Sequence, residues 1–166
     1  FKIMVKIEPP DVPVINAENF KRIQIDTNAY KIDNNWIRKS ESGLWEMYLS
    51  GNPYELGIKN GILSQELISL QEKAFIDFIK ELIPSEGYLK FLKQAIAWFN
   101  KNLDEYIPLE NQQEIYGISQ SADPGFSFIG NNYERILNYH AAHDIGHAMQ
   151  NLNLVACTSF GVWDEF

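Results

Sequence analysis

Leu154-Val155-Ala156-Cys157-Thr158-Ser159-Phe160-Gly161-Val162-Trp163 contains the single cysteine of this chain. Small Ala156 precedes the thiol, hydroxyl residues follow it, and apolar residues flank both. This is the make-up of a strand that presents a nucleophile near its start. Alternate strand residues share a face, so Cys157 lies with Val155 and Ser159, while Thr158 points to the other side. Ser159 is then the nearer support for the thiol, and Thr158 packs or bonds within the sheet. The ordinary role of an unpaired cysteine is that of a small buried hydrophobe; here the neighbourhood favours the nucleophile. A lone strand cannot satisfy its own backbone groups. Residues 153–166 therefore read as the first strand of a domain completed by residues not in this chain, and the fold class as α+β.

Immediately upstream, residues 131–152 read as a helix leading into that strand. All three histidines fall in it, and the three- and four-residue spacings of His140, His143 and His147 put them on one helical face. His143-Asp144-x-x-His147 has the outline of a zinc-protease helix. Yet aspartate replaces the longer glutamate, Gly146 loosens the turn, and three ligands on two turns of one helix wrap poorly around a tetrahedral ion. We therefore expect no metal and no other cofactor. The plain reading is a semi-polar helix face bonded to loops. The functional one gives His143 and His147 a supporting part, in proton transfer during processing or in lining the acyl pocket.

Further upstream, Asn52-Pro53-Tyr54-Glu55 has the parts of a helix start in order: a capping residue, a proline suited to the first position, and a carboxylate at the capping-box position. Leu63, Leu67, Leu70, Ala74, Phe78 and Leu82 form one apolar stripe behind it, and Pro84 ends the helix. Gly57 and Gly61, one turn apart, mark a close backbone approach. Ser85 starts a second helix through Phe99, a weaker third follows Pro108, and Asp123-Pro124-Gly125 is a turn. Near the N-terminus, Pro9, Pro10 and Pro13 predict an extended arm. Ile23 and Ile25 alternate with polar residues as a strand, Asp33-Asn34-Asn35 turns, and residues 43–49 form another strand, giving a small hairpin or meander. The expected organisation is an arm and β-meander over 1–50, a helical region over 51–152 and the fragmentary strand over 153–166. Trp98, Phe99, Phe126, Phe128 and Trp163 read as core.

Composition narrows the possible partners. The chain has 166 residues, is 45% hydrophobic and carries a net charge of −8, which argues against a nucleic-acid partner because phosphate binding needs a basic surface. One cysteine excludes an intrachain disulfide framework. No stretch reaches the roughly 18 apolar residues of a membrane span. The chain opens at Phe1, which leads us to expect a trimmed start and a removed signal or anchor segment. A membrane is expected only through such a segment. Phe1–Ile7 reads equally as its tail or as an edge strand. Localisation stays open, with export or the periplasm slightly favoured.

The Ala156-Cys157-Thr158-Ser159-Phe160 run resembles the cleavage site of cysteine-type N-terminal-nucleophile hydrolases. Tyr54-Glu55-Leu56-Gly57 with Gly61 resembles the upstream region of the penicillin acyltransferase-like group, related to the choloylglycine hydrolases. Two short patches about a hundred residues apart carry the likeness; where that group often has His-Gly, this chain has Asn60-Gly61. The resemblance implies an αββα sandwich begun by the Cys157 strand, self-cleavage at Ala156–Cys157, and Cys157 as both processing and catalytic nucleophile. It also implies oxyanion donors downstream of the chain. The expected reaction is hydrolysis or transfer of an acyl group at a linear amide or acyl thioester. Partners are then the remainder of the catalytic domain and a small acyl substrate, with the helices over 52–102 covering the acyl pocket and tuning chain length. The alternatives are a metal-dependent hydrolase using the His140/His143/His147 stripe, and a non-catalytic helical interaction domain.

Overall fold

The structure, a computed structural model, describes residues 7–82, 85, 87, 94 and 100–148, with the backbone alone at 82 and 142–148. It is α+β. An irregular arm over residues 7–16 leads through a short 3-10 turn at Ala17–Asn19 into a four-stranded antiparallel meander. Its strands are β1 (Ile23–Asp26), β2 (Ala29–Ile32), β3 (Asn35–Lys39) and β4 (Trp45–Tyr48), paired in sequence order. Ile32 pairs with Asn35 across a two-residue loop in which Asp33 adopts a positive φ of 51°, a conformation that aspartate tolerates better than most residues. The sequence marks strands at Ile23 and Ile25 and over 43–49; β2 and β3 stand between them in addition, and β1 meets β2 with a register irregularity between Gln24 and Asp26.

Only the middle of one sheet face is covered. Ile32 and Ile37 pack with Leu63, and Phe20, Tyr30, Leu49, Ile62 and Leu67 close around them. On the opposite face Trp36 stacks on Tyr48 at 6.4 Å, and the Arg38 guanidinium lies 4.9 Å from the Trp36 ring centroid. Polar joints fix the sheet to the first helix. Asn35 Oδ1 accepts from Ser50 N at 2.6 Å, and the buried Lys59 ammonium donates to Ser50 O at 2.8 Å.

The helices among the described residues are α1 (Pro53–Leu63), α2 (Gln65–Leu82), α3 (Leu109–Ser119) and α4 (Asn132–Ala148). Asn52 caps α1 as its sequence indicates, its Oδ1 accepting from Glu55 N at 3.0 Å. Glu55 turns instead to Lys59, at 2.6 Å. The single long helix expected from Asn52 to Pro84 is broken at Ser64, whose hydroxyl donates back to Asn60 O at 2.7 Å and so ends α1. The break also changes the buried stripe. Glu72 and Ile76 point inward with Ile68 half-buried, while Leu70 and Phe78, expected inside, are 63% and 40% exposed.

The main core lies between α3 and α4: Ile115, Ile118, Ala122, Tyr133, Ile136 and Leu137, with Ile7 of the arm inserted among them. Two long-range bonds hold the arm there, from Ile7 N to Glu134 Oε1 at 3.1 Å and from Gln113 Nε2 to Asp11 O at 2.7 Å. Helices α1 and α3 meet backbone to backbone at Gly57, Gly61 and Gly117. A methyl group on Gly117 would lie 2.5 Å from Tyr54 O, and one on Gly57 would collide with Glu114 O. The close approach suggested by the Gly57/Gly61 spacing is therefore present. Beside it, Tyr54 stacks on Tyr116, which meets Tyr133 edge-on, so one row of rings joins α1, α3 and α4. Phe128, expected in the core, is 61% exposed with the Lys80 ammonium 6.0 Å from its ring. No helix among the described residues is long and apolar enough to cross a membrane.

Candidate functional site

Helix α2 faces inward along Ile68, Glu72 and Ile76, a four-residue step that returns to the same side of a helix. Its middle member is a carboxylate. Helix α4 faces α2 and α3 with Tyr133, Arg135, Ile136 and Leu137, so a guanidinium also lies in the interior. The two charges answer each other: Arg135 Nε is 2.5 Å from Glu72 Oε1, with side-chain exposures of 0% and 1%. The contact is an ion pair without the alignment of a directed hydrogen bond. Uncompensated burial of either charge would cost several kcal/mol.

A second arm of the guanidinium reaches the turn before α4, where Arg135 Nη2 donates to Asp123 O at 2.8 Å. The Asp123 carboxylate is tied in turn, accepting from Gly125 N at 2.8 Å and from Ser69 Oγ at 2.8 Å. Those two hydrogen bonds, the backbone one first, hold Asp123 below the ordinary carboxylate range, with a smaller contribution from Arg135. Ser69 and Glu72 are three residues apart on α2, so one face of that helix grips both the turn and α4. Burial, reinforced by the nearby Glu72 charge, pushes the Tyr139 phenol far up. Burial also pushes Tyr133 up to about 12, with Asp104 adding to it. Both phenols are protonated at any physiological pH.

An open hollow of about 520 Å³ lies on the solvent side of this network, lined by Glu66, Ser69, Leu70, Lys73, Ser121 and Asp123. Three of its polar side chains are already engaged. Ser69 donates to Asp123, Glu66 takes both Arg22 nitrogens, and Lys73 pairs with Asp77 at 2.5 Å. Because the Ser69 hydroxyl points at a carboxylate that is ionised and low in pKa, it is held as a donor in a structural contact.

Of the residues singled out in sequence, His140 is on the exposed side of α4, its Nδ1 2.9 Å from Ile136 O one turn back. His143 and His147 lie on the backbone of the same helix, and their side chains fall outside the described residues. Cys157, Thr158 and Ser159 also fall outside them, as do Trp98, Phe99, Trp163 and most of the helix expected after Ser85. Among the described residues no three histidine, cysteine or acidic side chains converge as a metal site would require. Sequence reasoning missed Glu72 and Arg135. The available signal was at Glu72, which stands between Ile68 and Ile76 one turn away on either side; Arg135, with Asn131 and Asn132 one turn before it, carried none.

Comparison with known proteins adds one relative. The chain is 28% identical over 149 residues to an uncharacterized protein of Archaeoglobus fulgidus, an alignment that covers 78% of this chain. The chain spans about a quarter of the length of that relative, 24%. No family model matches the sequence. No solved structure matches it either.

Proposed function

We propose that this chain is the N-terminal part of a self-processing cysteine hydrolase or acyltransferase that acts on linear amides or acyl thioesters, with cleavage between Ala156 and Cys157. The observation that carries the reading is the Ala156-Cys157-Thr158-Ser159-Phe160 run, whose cysteine stands nine residues after Ala148, the last described residue of α4. The chemistry balances with this chain's own groups and water. The Cys157 thiol attacks the Ala156 carbonyl carbon, a carbon–sulfur bond forms as the peptide carbon–nitrogen bond breaks, and the thiol proton ends on the departing amine. Water then opens the thioester, releasing the Ala156 carboxylate and restoring the thiol. The freed α-amino group, with an ordinary pKa near ~8, becomes the base that activates Cys157 for substrate acyl groups. Small Ala156 leaves its carbonyl open to attack.

The fold supports this reading through its scaffold. Tyr54, Glu55, Gly57 and Gly61, the upstream residues of the family likeness, build the start of α1 and its seam with α3. Asn60, where that family often has histidine, accepts the Ser64 hydroxyl on its side-chain oxygen at 3.0 Å. In this reading the αββα sandwich is completed by the remainder of the catalytic domain, and the exposed Leu70 and Phe78 of α2 belong to the layer that docks on it. Intact mass of the full-length protein tests the proposal. Two pieces divided at Ala156–Cys157, and one uncut chain in Cys157→Ala, are the expected result. A wild-type chain that stays whole, with acyl-amide hydrolysis unchanged in Cys157→Ser, would sink it.

A further inference from the structure

β4 is an edge of the meander, and no described strand lies beyond it. Its ladder with β3 runs regularly from Trp36–Tyr48 to Lys39–Trp45, and Ser40 N continues it by donating to Leu44 O at 2.7 Å. Bonded and non-bonded pairs alternate in an antiparallel ladder. Ser40–Leu44 and Arg38–Glu46 are thus of the bonded kind, and the N–H and C=O groups of Trp45 and Met47 point outward along the free edge. β1, the opposite edge, is blunted: its register slips between Gln24 and Asp26, and Gln24 Nε2 donates to Asp26 O at 3.1 Å. β4 has no such protection. It contains neither proline nor lysine, and its one charge, Glu46, is bound to Arg38 at 2.8 Å. Leu44, Trp45, Met47 and Tyr48 are all exposed. Single exposed apolar side chains are ordinary, but a run of them on an open edge marks an interaction surface.

We propose that β4 pairs antiparallel with β4 of a second copy, joining two four-stranded meanders into one continuous sheet. A second copy fits because the edge is complementary to itself. A two-fold axis through Glu46 sets Trp45 opposite Met47 of the other copy, twice over, and joins their outward backbone groups in four hydrogen bonds. The same register sets Leu44 opposite Tyr48 of the other copy. Every exposed apolar side chain of the edge then meets another, and the Trp45–Met47 pairs add sulfur–aromatic contact. The one like-charged meeting, Glu46 with Glu46, is eased because each carboxylate already holds its own Arg38. Charge permits the approach. Over residues 21–49 five basic side chains stand against four acidic ones, whereas the whole chain carries −8. Two meanders therefore meet without the repulsion the rest of the chain would bring.

The test is sedimentation equilibrium of the 166-residue chain across the micromolar range, with melting by circular dichroism as the control for folding. Cys157→Ala serves as background throughout, so that neither its thiol nor cleavage intrudes. The expected result is a concentration-dependent rise from one chain mass to two. Met47→Pro removes an outward N–H and no bond to β3; it should weaken the dimer at least about tenfold with melting near that of the background. Should that variant fail to fold, Met47→Lys decides, since its charge meets Trp45 of the other copy only in the dimer. Glu46→Cys, on the axis, should give a disulfide-linked dimer on mild oxidation. Tyr48→Cys, four residues along the strand from its own copy, should not. A chain that stays monomeric throughout overturns the proposal and leaves the edge to a strand of another protein. A dimer indifferent to the Met47 substitutions, or linked equally through Tyr48→Cys, overturns it as well.

Discussion

Helices α1 and α3 meet where side chains are missing, whereas α2 and α4 meet through a buried carboxylate and guanidinium. At the first contact Gly57, Gly61 and Gly117 bring two backbones together, and shape alone decides the fit. At the second, Glu72 and Arg135 fill the gap with opposite charges, and the balance of charge decides it. The two contacts share the Tyr54–Tyr116–Tyr133 row of rings yet should fail in different ways. The glycine seam tolerates no added atom but is indifferent to charge. The ion pair tolerates a matched replacement but not the loss of one partner.

Gly57→Ala should have the largest effect, because its new methyl group meets backbone rather than a movable side chain. We expect a loss of about 3 kcal/mol or more, enough to unfold a domain of ordinary stability, read by circular dichroism melting. A soluble variant that melts like wild type would show that the seam is looser than the geometry implies. Arg135→Met alone should cost about 3–5 kcal/mol, since it strands Glu72 in the interior. The matched double change Glu72→Met/Arg135→Met should recover most of this, because it leaves no charge stranded. Asn52→Ala removes one hydrogen bond at the end of α1, away from both contacts, and should cost about 1 kcal/mol in urea titration. A larger loss would mean that the seam depends on how α1 begins.

The smallest effect sharpens the comparison on α2 itself. Glu66 makes the same kind of pair with Arg22 as Glu72 makes with Arg135, but its side chain is 60% exposed. The Arg22 hydrogen bond, outweighing partial burial, holds the Glu66 carboxyl below its ordinary 4.5. A carboxyl depressed by folding contributes stability that is present above its unfolded value and lost as pH falls through the folded one. Stability should therefore decline slightly as pH drops below 4.5, the ordinary value of Glu66. Arg22→Ala should flatten that decline without much change at neutral pH, because solvent screens the pair. An equally steep decline in the variant would assign the slope to Asp123 and Asp77, the other carboxyls held low.

What could be read from sequence divides along the same line. The start of α1 is legible because Asn52, Pro53 and Glu55 act within one turn, and Gly57 with Gly61 signals a close approach by spacing alone. The partner glycine, Gly117, is invisible in advance, since nothing local pairs positions sixty residues apart. The apolar stripe of α2 misleads for a physical reason. Ser64 interrupts the helix, and a new helix begins with its own rotation, turning Leu70 and Phe78 outward and Glu72 inward. Periodicity places a charge at a core position but cannot name the guanidinium that will neutralise it 63 residues later, in Arg135. The two-residue loop at Asp33-Asn34 is legible as a turn, yet the extra strand it creates depends on sheet pairing beyond the local pattern. Of the candidate site, the strand expected around Cys157 lies outside the described residues, and the Glu72–Arg135 network was not read from sequence at all.

The arm leaves one consequence for how the molecule is made. Ile7 enters a core formed by α3 and α4, and its amide bonds to Glu134, 127 positions later. During synthesis the arm must therefore wait for α4, the last described helix, before it finds its place. The locally paired β-meander can form as it emerges, and the arm is gathered only afterwards. Cleavage at Ala156–Cys157 would keep both ends of that late clasp in one fragment, so the arm would not be released with the severed chain.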